Sequence, residues 1–404
     1  MNNTFCIIPW IHTHVTTSGS VLPCCNSYTY MDNARTGYID KDSVETLFNS
    51  KKLKQLRLDM LNNIERKDIC KNCYTKESFG FNSGRTIYNG DFRHLLDNAK
   101  NITDNTGYVD PKIISWDIRY SNLCNLKCRI CGPEFSSAWA AENQEKTVKL
   151  RSVDADVDPF ESQYQYVEKI YFAGGEPLIM PEHFRTLKKL IEKGRDKYVH
   201  LVYNSNATKL DYNNNELTDL WKNFKFVTFG ASIDAVGSRA DYIRHGVNWN
   251  IVEKNLHRLS EFSRTSKNFK LLYSPTISVF NIHHISDMHR YLYENNLMKS
   301  IDDIVFNLLQ FRAHFSFKVL PKNIKLEIID RIDNHITWLQ SVNGKINDYI
   351  SLKNAVLSNL DNDNKLLQTF LNDVDMIDVK RKESFDITFP EYNTLRIIDT
   401  NSII

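Results

Sequence analysis

At 404 residues, with a net charge of +2 and 42% hydrophobic residues, the chain has enough material for one large core or two domains. Its balanced charge gives no sign of a nucleic-acid partner, and no apolar run approaches the roughly 20 residues that span a bilayer. The opening MNNTFCIIPW lacks the basic stretch, apolar core and cleavage site of a secretory signal, so a cytoplasmic location is expected.

All 8 cysteines lie before residue 132. In a reducing compartment disulfides are rare, so clustered thiols point to metal binding or chemistry. The first set begins in FCIIPWIHTHVTTSGSVLPCC, where Cys6, Cys24 and Cys25 flank a short hairpin with Gly19 at its turn. His12 and His14 read as strand residues of that hairpin. Residues 42–63 then carry Val44, Leu47, Phe48, Leu53, Leu56, Leu58, Met60 and Leu61, which predicts one helix with a buried face. Cys70 and Cys73 come next in DICKNCY, and two pairs of thiols suffice for a four-ligand site.

From residue 113 onward the pattern changes. Apolar, β-branched runs of strand length fall near 113–118, 168–172, 198–203, 225–231, 270–279 and 303–309. Amphipathic stretches near 134–146, 182–193, 215–222, 248–262 and 283–297 lie between them. Strands apolar on both faces predict a parallel sheet with helices outside it, and six units predict an α/β fold built as a partial (β/α)6 TIM-like barrel. Its active site is expected at the C-terminal ends of the strands. The remainder, from about 316, reads as helix and then an irregular tail that closes the barrel or covers a pocket.

Just past the first predicted strand, SNLCNLKCRIC holds Cys124, Cys128 and Cys131. A structural zinc site takes four protein ligands, whereas three thiolates in a short loop suit a 4Fe-4S cluster with one iron left open. Zinc completed by a distant residue is the alternative that spacing leaves open. The CxxxCxxC pattern closely resembles that of the radical S-adenosylmethionine (radical SAM) superfamily. Later segments extend the resemblance. Gly174, Gly175, Glu176 and Pro177 look like the family's GGEP turn, which holds the cofactor's amino group. Asn206 in NSNATKL is similar to the family's TNGTxL asparagine, with Ala207 where the family has glycine. Ser232 and Arg244 match a serine and an arginine that contact the cofactor's carboxylate. Arg244 could instead pair with Asp241, and Asp234 could cap the next segment. Ile130 departs from the pattern, since an aromatic usually precedes the third cysteine and lies on the adenine.

The N-terminal layout resembles the twitch module, a shortened SPASM domain that carries an auxiliary 4Fe-4S cluster. The resemblance implies Cys6, Cys24, Cys70 and Cys73 as ligands and leaves Cys25 over, as a small buried thiol or an alternative ligand. Zinc is the other occupant a CxxC pair permits. Family members generally carry this module after the barrel; here it precedes it. The expected division is an auxiliary module over 1–95, a barrel over 110–315 and a helical extension with a tail over 316–404.

The resemblance implies two 4Fe-4S clusters and S-adenosyl-L-methionine, reductive cleavage of the cofactor to a 5′-deoxyadenosyl radical, and hydrogen abstraction from substrate. It also implies an electron donor such as flavodoxin or ferredoxin. A peptide substrate is the first expectation and a small molecule, such as a sugar, a cyclitol or a nucleotide-derived precursor, the second. A non-enzymatic zinc scaffold would need every one of these motifs to be coincidental. No position identifies a catalytic acid or base; Arg119, Glu142 and Gln310 are candidates only through nearness to strand ends.

Overall fold

The computed structural model describes residues 4–146, 158–213 and 215–396. Its strands, in chain order, are β1 (His12–Val15), β2 (Ser20–Leu22), β3 (Gly37–Tyr38), β4 (Ser115–Ile118), β5 (Lys169–Phe172), β6 (His200–Ser205), β7 (Asp211–Tyr212), β8 (Asn215–Glu216), β9 (Phe226–Ala231), β10 (Phe269–Tyr273), β11 (Thr276–Ile277) and β12 (Asn307–Leu308). Eight of them make one sheet in the order β10-β9-β6-β5-β4-β1-β2-β3.

From β4 to β10 every pairing is parallel, with Trp116 opposite Ile170, Ile170 opposite Leu201, and Leu201 opposite Val227. The barrel continues through a parallel bridge between Tyr273 and Ile304 and the β11–β12 pair. Strands buried on both faces need helices outside. The helices Pro181–Glu192, Trp249–Thr265 and Ile285–Glu294 supply them, burying Phe184, Leu187 and Leu190, then Val252, Leu256 and Leu259, at spacings of three and four. Trp116, Phe172, Tyr203, Trp221 and Phe229 are essentially unexposed and fill the space between the layers.

Two helix expectations are revised. The single helix over 42–63 is two, Val44–Phe48 and Lys51–Leu61, because Ser50 accepts a hydrogen bond from Leu53 N and starts a new helix. Asn49, at the break, is held by Val109 and Arg57. The predicted helix over 134–146 is confined to Ser137–Glu142. The N-terminal hairpin joins the barrel sheet: β1 pairs in parallel with β4, His12 opposite Ser115 and Val15 opposite Ile118.

The C-terminal part forms helices Lys322–Ser341, Asn347–Leu357 and Asn364–Arg381. Residues 382–396, expected as an irregular tail, are ordered instead. Two short helical turns, Phe385–Thr388 and Pro390–Tyr392, bury Phe385, Phe389 and Tyr392, and Tyr392 Oη donates to Val279 O at 2.9 Å.

Candidate active site

Strand β4 delivers the chain into the triple-cysteine loop, and the loop is fastened on several sides. Trp139 Nε1 donates to Cys128 O at 2.8 Å, Arg312 Nη1 to Cys131 O at 2.5 Å, and Ser136 Oγ to Leu126 O at 2.6 Å. Arg129, unexposed between two of the cysteines, places Nη2 2.5 Å from both Asp378 and Glu383 and stacks its guanidinium 3.5 Å from the Tyr242 ring centre. Helix Asn364–Arg381 thus grips the loop from behind.

The glycine pair of the next βα turn lies against the same loop. Gly174 and Gly175 have φ of +78° and +44°, and a Cβ on Gly175 would sit 2.2 Å from Leu123 O. That close approach lets Glu176 N donate to Leu123 O at 2.7 Å. Glu176 is buried, not solvated: Oε1 accepts from Leu178 N and Ser205 Oγ, and Oε2 from Asn206 N at 2.7 Å. Burial raises its pKa above the ordinary carboxylate value despite those donors. Asn206 Nδ2 reaches Asn125 Oδ1 within the cysteine loop at 3.0 Å, while Ala207 takes the left-handed φ of +56° where a glycine is easier.

Arg244 pairs with Asp234 at 2.8 Å and turns Nη1 to within 3.8 Å of Cys128 Sγ. Asp241 is not its partner; that carboxylate receives Trp249 N. Asp234 accepts from Thr276 N rather than capping a helix. Cys124, Cys128, Cys131, Gly174, Gly175, Glu176, Asn206, Ser232 and Arg244 all line one cavity of about 390 Å³, and Ile130 contributes an apolar patch to it.

The chemistry of the donor set fits a cluster. Burial and then neighbouring thiolate charge raise the Cys124 pKa to about 12, and Cys131 is raised by the same causes, Cys128 and Cys124 both contributing. Thiolates so placed need a cationic partner. A zinc ion with Zn–S of about 2.3 Å holds its sulfurs roughly 3.8 Å apart. Tetrahedral structural zinc takes four protein ligands, whereas three thiolates in one short loop suit a 4Fe-4S core with one iron open.

The N-terminal thiols form a second group. Helix Lys67–Ser78 carries Cys70 and Cys73 one turn apart, Cys24 precedes the turn Cys25–Tyr30, and Cys6 lies just before Ile8–Ile11. Burial is the main cause that raises Cys6, followed by the charges of Cys24, Cys73 and Cys70, so the four feel one another. Cys25 lies beside this group, but after burial its strongest neighbour is Asp117 of β4, ahead of Cys24.

Between the two thiol groups lies a chamber of about 500 Å³, lined by Cys24, Cys25 and Cys73 on one side and His12, Asp117, Lys169 and Tyr171 on another. Tyr171, Asn307, Leu308, Leu309 and Gln310 line both this chamber and the 390 Å³ cavity, forming their common wall. Gln310 Oε1 accepts from Asn72 Nδ2, on the cysteine helix, at 3.2 Å. On the floor Asp117 is unexposed; burial opposes its charge, yet Arg119 and His14, 2.6 and 3.0 Å away, hold it below the usual carboxylate range. Arg119 therefore lines the cavity as the partner of Asp117. Glu142 faces neither space: Arg381 and Lys127 engage it at 2.9 and 2.7 Å. Asp117 and Lys169 were missed by sequence reasoning, although an Asp inside the apolar run Ile113–Ile118 was the available signal.

Two family models match the chain. Residues 118–288 match the radical SAM superfamily and residues 6–74 an iron-sulfur cluster-binding domain, SPASM. The chain is a member of the radical SAM superfamily with its SPASM domain placed before the barrel. S-adenosylmethionine and a 4Fe-4S cluster are the cofactors of the first domain, and an iron-sulfur cluster that of the second.

GTP 3′,8-cyclase 1 of Mycobacterium tuberculosis, from strains CDC 1551 / Oshkosh and ATCC 25618 / H37Rv, is 40% identical over 76 residues, 18% of this chain and 20% of the relative. The match therefore spans about a fifth of those relatives' length. The solved structure of native anSMEcpe with bound AdoMet overlaps 57% of this chain and 63% of its own at 16% identity and a TM-score of 0.42. The same protein with AdoMet and a peptide overlaps at 17% identity, covering 57% and 62%, with a TM-score of 0.39. Among the described residues no helix is long and apolar enough to cross a membrane.

Proposed function

We propose that this protein is a radical SAM enzyme that oxidatively modifies a peptide side chain held in the chamber between its two cysteine groups. When bound, the cofactors supply a 5′-deoxyadenosyl radical on the barrel side and an electron acceptor on the N-terminal side. The observation that carries this reading is the common wall: a group reaching Tyr171 and Asn307–Gln310 is within contact of both spaces.

In this reading Cys124, Cys128 and Cys131 hold the first cluster, and Cys6, Cys24, Cys70 and Cys73 the second. Glu176 receives the ammonium of the methionine part, with Gly174 and Gly175 admitting it by exposing backbone. Arg244 and Ser232 take its carboxylate, the guanidinium being held in place by Asp234. Asn206 fixes the β6 turn against the cysteine loop, and Ile130 gives the adenine an apolar contact without stacking. Lys71 and Lys318, exposed at the chamber's rim, leave room for the rest of a longer substrate outside. An external flavodoxin or ferredoxin provides the electron.

A second reading is favoured by the chamber's size, which is that of an ordinary small-molecule site, and by the stretch shared with a GTP cyclase. There the substrate is a small molecule, such as a nucleotide-derived precursor.

Anaerobically reconstituted protein is expected to hold about eight irons per chain with 4Fe-4S charge-transfer absorption. Cys128→Ala should abolish 5′-deoxyadenosine formation with dithionite, and Cys73→Ala should spare much of it. Equal loss in both variants would refute the division of the two sites. Stimulation of that product by GTP, with none from a peptide library, would select the second reading.

A further inference from the structure

Away from both cavities, the residues just before helix Ile285–Glu294 present His283 and His284 side by side, and Glu391 reaches them from the C-terminal segment. One ring nitrogen of each histidine and one Glu391 oxygen lie within 4.8 Å of one another. His283 is 4% exposed; its Nε2 meets Glu327 Oε1 at 2.8 Å, and its Nδ1 is buried with no hydrogen-bond partner. His284 turns Nδ1 to Asp287 Oδ2 at 3.2 Å and sets Nε2 directly against Glu391 Oε1.

Each imidazole thus keeps one nitrogen on an outer carboxylate. With its proton kept on that outer side, each ring can offer the other nitrogen's lone pair to the shared point, the arrangement that orients metal-binding histidines. Without an ion His284 donates from both ring nitrogens, to Asp287 and to Glu391, and a bound ion would take the place of the Nε2 proton. Arg239 occupies the other Glu391 oxygen at 3.3 Å, so Oε1 is the one that remains. The surrounding charges also favour an ion: Asp287, Glu327 and Glu391 face only the guanidiniums of Arg239 and Arg331, the latter 2.5 Å from Asp287. With neutral imidazoles that leaves one net negative charge.

We propose that His283, His284 and Glu391 bind one divalent transition-metal ion, with zinc the best match to two imidazoles and a carboxylate. Neither histidine lines the chamber or the cysteine cavity, so the ion is a clip rather than a catalyst, its fourth position left to solvent. It joins the barrel to the segment whose Phe385 and Phe389 pack on Phe280. The same segment carries Glu383, which holds Arg129 in the cysteine loop.

The test uses holoenzyme with both clusters in place, dialysed anaerobically against Zn(II) and desalted. One zinc per chain above the iron content is expected, with zinc-edge EXAFS showing imidazole and oxygen ligands and no sulfur. His284→Asn and Glu391→Gln should retain none. No zinc on the wild type, sulfur in its coordination shell, or zinc retained by either variant at the wild-type level overturns the proposal. If either variant does not fold, the wild-type EXAFS decides alone.

Discussion

Glu176 has both carboxylate oxygens engaged by donors and is still lifted above the usual carboxylate pKa by burial. A raised value favours the neutral carboxyl at low pH, and the stability that form contributes is lost as pH rises through the folded value. An ammonium needs the ionised form, so S-adenosylmethionine affinity should climb with pH through that same value. Equilibrium dialysis of holoenzyme across pH 5 to 8 checks this, and Glu176→Gln should flatten the profile; an unchanged slope in that variant would exclude Glu176. At Gly175 the issue is space. Alanine there would press on Leu123 O and hold a strained φ, at a cost on the order of 1–3 kcal/mol. Clusters should still assemble, but cofactor binding should fall at least tenfold; wild-type affinity would mean the tight turn is dispensable. These residues were legible because each motif is contiguous in sequence. Asp117 and His14 were not, because the β1–β4 pairing brings together residues a hundred positions apart.

Helix Asn364–Arg381 shows what a distant element contributes to a loop of cofactor ligands. Arg129 is closed in by Asp378, Glu383 and Tyr242, and removing one side of such a buried ion group costs about 3–5 kcal/mol. Arg129→Met should lower the urea midpoint and release iron from the first cluster sooner than from the second, as measured by chelator kinetics. Simultaneous release from both would show that the clamp has no local role. Periodicity located this helix region without revealing what it packs against, since an apolar stripe does not name its partner. The break at Ser50 was hidden for a related reason: the apolar positions run through it, and it is made by the serine's capping bond and the distant contacts that hold Asn49.

Across the whole molecule, the central sheet is continuous from β10 to β3, so the N-terminal hairpin and the barrel share hydrogen bonds rather than a mere interface. A chain beginning at residue 110 would expose the edge of β4 and leave Asp117 without His14. Such a truncation should be insoluble or aggregate, while co-expression with residues 1–109 should rescue it in part. A soluble, monomeric truncation that still cleaves S-adenosylmethionine would show that the two parts fold independently. The β-α alternation made the barrel readable, but nothing local in HTHV announces which strand it will join.

That strand placement bears on the unusual order of the domains. A sheet of parallel strands that does not close leaves the edge of its first member free, and β1 takes that edge. Here the cysteine-bearing piece reaches the barrel from the front of the chain, and the hydrogen bonds of one strand pair seat its thiols beside the chamber.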